Sequence, residues 1–130
     1  MSRITARAVA FRRDEDLAAE YLVLTEHADG GGRTVELQLG LAETEEDRRS
    51  GLFGYCVVID GDPCAYRCVD RWKVVGSELI LELTAVAARG FGTRSLVVRF
   101  PTGAASVVRH ALEHLIDGRA VPDEFIINTP

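Results

Sequence analysis

Three groups of side chains in this sequence have the types and spacing that could do chemistry. Cys64 and Cys68 are two thiols four residues apart, His110 and His114 are two imidazoles four apart, and Glu43, Glu45, Glu46 and Asp47 crowd carboxylates into one short run. The thiols suggest half of a structural zinc site, which needs four ligands, usually as two close pairs. On one extended strand their even spacing turns both to the same face about 13 Å apart, too far to share one ion. Buried, inert thiols are therefore expected. The histidines have the spacing of a two-histidine metal face on a helix, but Ala111, Leu112 and Glu113 between them do not make the HExxH pattern. Nothing elsewhere in the sequence completes the ligand set, so the pair reads as solvated. The carboxylates could serve acid–base work only if one were buried with a raised pKa. On a short exposed helix they are expected to be solvated instead. The serines form no GxSxG elbow, and no cysteine has an identifiable histidine partner. No catalytic centre, metal or cofactor is expected.

Composition bounds the rest. A chain of 130 residues that is 47% hydrophobic suffices for one core, and no run approaches the apolar length of a membrane span. Arg7, Arg12 and Arg13 interrupt the apolar positions near the N-terminus, so a signal peptide is not expected and the protein reads as cytoplasmic. Three cysteines are too few, and odd in number, for a disulfide framework. A formal net charge of −5 disfavours nucleic acid and suits a basic partner, or simply solubility.

The elements that must position these groups are mostly strands. Ile4 to Phe11 alternates as a first strand, Asp14 to Glu20 is a polar connection, and Tyr21 to Glu26 and Arg33 to Leu39 follow around a Gly30-Gly31-Gly32 loop. That loop lacks the Lys-Ser or Lys-Thr pair of a phosphate cradle. Glu43 to Arg49 is a short polar helix that Thr44 can cap, with Asp47 three residues on. Tyr55 to Asp60 is a strand, and Asp60-Gly61-Asp62-Pro63 signals a turn. Cys64 to Val69 returns and continues through Trp72 to Val75 after a kink. Glu78 to Thr84 places Leu79, Leu81 and Leu83 on one face, Ala85 to Phe91 is a helical crossover, and Leu96, Val98 and Phe100 line the last core strand. A helix from Gly103 to Asp117 buries Ala104, Val107, Val108, Ala111, Leu112, Leu115 and Ile116, with Thr102 as N-cap and Gly118 as C′ residue. Arg109, His110, Glu113, His114 and Asp117 then face water. The fold class is α+β: a largely antiparallel, meandering sheet with a long C-terminal amphipathic helix on one face. Residues 1–118 form a single domain and 119–130 a tail.

Binding is the better expectation than catalysis. The acidic segment through Glu45, Glu46 and Asp47 and the turn carboxylates Asp60, Asp62 and Asp70 fall close together in strand order, beside Tyr66, Arg71 and Trp72. Aromatic and arginine anchors rimmed by charge suit a protein interface; the alternative places Trp72 in the core and scatters the acids. Phe125-Ile126-Ile127 in the tail is an apolar triplet that should dock, either as an edge strand on its own sheet or across a twofold axis in a homodimer.

These elements resemble the immunity protein 10 family of bacterial polymorphic toxin systems. The resemblance rests on Val35 to Leu39, the acidic run Ala42 to Asp47, the tyrosine-started strand Tyr55 to Asp60, the alternating leucines Leu79 to Leu83, Ser95 to Phe100, and Val107 to Ile116, and covers roughly residues 20 to 117. It departs where the family often has a tyrosine followed by paired glycines and this sequence reads Ala65-Tyr66-Arg67-Cys68. The resemblance implies a cytoplasmic protein that binds one cognate toxin domain and blocks it without turnover. Glu45, Glu46, Asp47 and Asp62 would meet a basic toxin cleft, with Tyr66 or Trp72 as the apolar anchor. A small acidic secretion chaperone or homodimeric adaptor is the alternative.

Overall fold

The computed structural model describes residues 2–61 and 65–129. Its first feature is a corner. Where one strand is expected from Ile4 to Phe11, the chain forms two, β1 (Ser2–Thr5) and β2 (Ala8–Asp14), that belong to different sheets. The Ala6 N–H donates to the Arg99 carbonyl at 2.7 Å, while the next residue, Arg7, donates to the Thr25 carbonyl at 2.8 Å. The small, buried Ala6 lets the backbone turn from one sheet into the other.

β3 (Ala19–Thr25), β4 (Thr34–Gly40) and β5 (Tyr55–Ile59) continue antiparallel from β2, with α1 (Glu45–Arg49) between the last two. Asp60 and Gly61 both have positive φ, so the chain turns sharply as it leaves β5. The rest of that predicted turn, Asp62 and Pro63, lies outside the described residues, as does Cys64. The expected continuous return is broken. β6 (Ala65–Tyr66) pairs with β5, Arg67 adopts φ +50°, and β7 (Val69–Val75) resumes in the other sheet. Cys68 lies in that break, so the strand-spacing argument for the two cysteines does not hold.

β8 (Glu78–Leu83), α2 (Ala85–Phe91) and β9 (Ser95–Arg99) follow. Thr84 caps α2 through the Ala87 N–H at 3.2 Å, and Gly92, with φ +76°, ends it. The C-terminal helix is shorter than the expected Gly103 to Asp117. It is α3 (Ala105–Leu115), preceded by a 3-10 turn at Thr102–Ala104, and Thr102 makes no cap. Gly118, with φ +72°, does close it, donating to the His114 carbonyl at 3.1 Å. The last strand is β10 (Ile127–Thr129).

The molecule is thus a mixed α+β fold dominated by strands, with two sheets in place of one. The four-stranded sheet runs β1-β9-β8-β7 and the six-stranded sheet β10-β2-β3-β4-β5-β6. Among the described residues, only β1–β9 and β10–β2 pair in parallel. Phe11, Leu22, Leu24, Val35, Leu37 and Val57 fill the inner side of the larger sheet, and Leu79, Leu81, Leu83, Leu96 and Val98 that of the smaller; all are at most 1% exposed. Each such side chain stabilises the fold by about 1.5–3 kcal/mol. α3 buries Val108, Ala111, Leu112 and Leu115 against β2, β3, β4 and β7, bridging the two sheets. Tyr55 makes a second bridge: its hydroxyl accepts from the Val69 N–H at 3.0 Å and donates to the Val69 carbonyl at 3.4 Å. Burial pushes that phenol's pKa up.

Candidate protein-interaction surface

α1 is a protruding acidic turn held by local chemistry. The Thr44 hydroxyl accepts from the Asp47 N–H at 3.0 Å and the Asp47 carboxylate accepts from the Thr44 N–H at 3.1 Å, the reciprocal box the sequence predicts. None of the helix is buried, so its five residues need docking from outside. Glu43 supplies part of it by accepting from the Gly54 N–H at 2.8 Å. Arg67 supplies the rest: its guanidinium lies 3.6 Å from the Phe53 ring centroid and donates to the Gly51 and Phe53 carbonyls. The positive φ of Arg67 thus sits where its side chain clamps the α1 loop.

The carboxylates are unequal. Asp47 is spent on the cap, Glu45 pairs with Arg49 at 2.7 Å while 81% exposed, and Glu46 makes no ion pair among the described residues. Asp60 is taken by Arg33 at 2.9 Å, which holds its carboxyl below the usual range, and Asp70 pairs with Arg94 at 3.3 Å. Asp62 lies outside the described residues. Tyr66 is on β6 in register with Cys56, on the side of the six-stranded sheet away from the core. Trp72 is on β7 in register with Leu81 and packs against the core. Tyr66 and Trp72 therefore stand on different sheets. Glu45, Glu46 and Asp47 stay together on one exposed turn.

The histidines do not face water as a pair. His114 presents Nε2 to Glu20 Oε1 at 2.9 Å and Nδ1 to the Arg119 carbonyl at 2.7 Å, and His110 stacks on Phe125 with ring centroids 4.3 Å apart. Glu20, expected in a polar connection, is 3% exposed and also accepts from Arg13 at 2.9 Å. Burial works to raise its pKa, but the hydrogen bonds from His114 and Arg13 outweigh it and hold the carboxyl below the usual value. The available sequence signal was phase: Glu20 is two and four residues from Leu22 and Leu24, on their inward face. Among the described residues, no group of three or more His, Cys, Asp or Glu is placed to hold a metal ion, and no helix is long and apolar enough to cross a membrane.

The family model for immunity protein 10 matches residues 5–108, from the end of β1 into α3. The chain belongs to the immunity protein 10 family. No curated protein and no solved structure matches it. The matched stretch holds both sheet corners, the capped acidic turn and the Arg67 clamp. Membership makes the chain an immunity protein and implies a protein toxin as its partner.

Proposed function

We propose that the chain neutralises one cognate toxin domain by stoichiometric binding, with the exposed acidic turn α1 set against a basic cleft of the toxin. Family membership supports the partner class, and the single observation that supports the surface is α1 itself, a rigidly capped helix with no buried residue and Glu45 and Glu46 pointed at solvent. Acidic groups on a preorganised turn speed encounter with a basic partner and need little ordering on contact. Asp47 contributes by holding the turn, and Tyr66 is the better-placed apolar anchor. Trp72, packed on the core, serves the fold. Blocking by occlusion requires no turnover.

Co-expression with the product of the adjacent gene tests the reading. A 1:1 complex that survives purification, with growth restored to cells carrying the toxin, is the expected result. A toxin that stays active and uncomplexed in the presence of excess chain would refute it.

A further inference from the structure

One end of the six-stranded sheet holds every exposed leucine among the described residues. Leu17, 70% exposed, is in the β2–β3 connection, and Leu41 and Leu52, 45% and 49% exposed, stand at the entry and exit of the α1 segment. Strand register brings these positions to the same end: Asp14 pairs with Ala19, Ala19 with Gly40, and Leu39 with Tyr55. Beyond the ladder, the Leu41 N–H donates to the Ala18 carbonyl at 2.7 Å and the Gly54 N–H donates to Glu43 at 2.8 Å. Those two bonds keep the α1 segment beside the β2–β3 tip. The tip is fixed as well. Asp14 accepts from the Leu17 N–H at 3.1 Å, and Ala18 is held at φ +50°, a left-handed conformation unfavourable to a residue with a Cβ. Leu17 is therefore presented to solvent on an ordered turn.

We infer that Leu17, Leu41 and Leu52 are apolar anchors that bury against the toxin, an assignment that rests on the toxin-neutralising function proposed for the chain. The charge around them selects that occupant. Residues 14–18 and 41–52 contain seven carboxylates against Arg48 and Arg49, so they carry the whole formal charge of −5 and the remainder of the chain balances to zero. Arg13, the next cation along β2, is taken by the buried Glu20 at 2.9 Å, and Arg67 lies on the Phe53 ring. A second copy would bring an equal negative charge against the first, and nucleic acid or an anionic membrane would be repelled in the same way. A protein that sets lysines and arginines around an apolar hollow matches both the leucines and their rim. The contact then extends from α1 to the β2–β3 tip, and Tyr66, in register with Cys56 near the start of β5, borders it. Rim carboxylates act chiefly on encounter, whereas leucines taken out of water hold the complex once it has formed.

Binding kinetics with the purified toxin domain encoded by the adjacent gene test this, using Leu17→Ser, Leu41→Ser and Leu52→Ser in the full chain. Val75→Ser is the control, because Val75 is 56% exposed beside the β7–β8 turn in the other sheet. Each leucine change should raise the dissociation rate about tenfold while leaving the association rate and its salt dependence nearly unchanged. Val75→Ser should match the unsubstituted chain. Melting curves that coincide show that each variant is folded, as expected for side chains so exposed. A tight complex whose dissociation rate ignores the three leucine changes, or responds equally to Val75→Ser, would overturn the anchors and leave the toxin as partner. An unsubstituted chain that forms no complex with the toxin would overturn both.

Discussion

His114 on α3 and Glu20 on β3 meet at 2.9 Å in the interior, ninety-four residues apart in the chain. Both ring nitrogens are engaged, one with the Glu20 carboxylate and one with the Arg119 carbonyl. Arg13 completes the group from β2. One buried carboxylate therefore joins two strands of the larger sheet to the end of the only helix that bridges the sheets among the described residues, and to the segment leading into the tail.

Removing that carboxylate should be expensive. Glu20→Gln should lower stability by about 2–3 kcal/mol, discounted from a fully buried pair because Arg13 is partly exposed. A double-mutant cycle with His114→Ala in urea unfolding should return a coupling of about 1 kcal/mol or more. Additive losses would mean that the two residues stabilise the fold separately.

The same group fixes the response to acid. Glu20's folded pKa lies below its ordinary 4.5, so the unfolded chain takes up the proton more readily. Its contribution is complete above that value and is lost as the pH falls through the folded pKa. Asp60 shifts in the same direction through Arg33 but is exposed, and adds little. Urea midpoints should fall below about pH 4.5, and Glu20→Gln should flatten that fall.

Local chemistry was legible in the sequence and sheet membership was not. The Thr44–Asp47 box, the Leu79-Leu81-Leu83 face, α2 and the Gly118 stop all depend on residues within a few positions, and each stands where the pattern places it. Period-two alternation says which side of a strand is inward, not which sheet the strand joins. Ala6 and Arg67 turn the chain between sheets, and their neighbours Arg99, Thr25 and Phe53 are distant or unrelated in sequence pattern. Glu20 and His114 were misread for a related reason. Charged residues on an amphipathic pattern read as solvent-facing unless the partner that neutralises them is known. Of the interaction surface, the acidic turn was legible; the separation of Tyr66 from Trp72 follows from the corner at Arg67.

The cap on α1 can be tested by itself. Thr44→Ala should cost about 1 kcal/mol at most, because the turn is exposed and local unfolding absorbs the loss. Hydrogen exchange at the Asp47 amide should accelerate while the β8 amides keep their protection. Uniform acceleration would place the turn inside the cooperative core.

The tail docks on its own sheet: β10 pairs with β2 in parallel, Ile126 is 7% exposed, and Phe125 stacks on His110. Of the triplet expected to carry a homodimer, only Ile127 points outward. Deleting residues after Ala120 should therefore destabilise the fold by about 2–4 kcal/mol, through lost burial of Ile126 and Phe125, instead of merely producing a monomer. A truncated chain with an unchanged melting temperature would contradict this docking.

The most direct test of the toxin-binding reading is the association rate with the toxin encoded by the adjacent gene, measured for Glu45→Lys/Glu46→Lys across a salt series. Asp47 is left intact because its loss would also unravel the cap. The expected result is an association rate about tenfold slower at low salt that converges with the unsubstituted chain at high salt, with the melting curve unchanged. An association rate that does not change at low salt would contradict it.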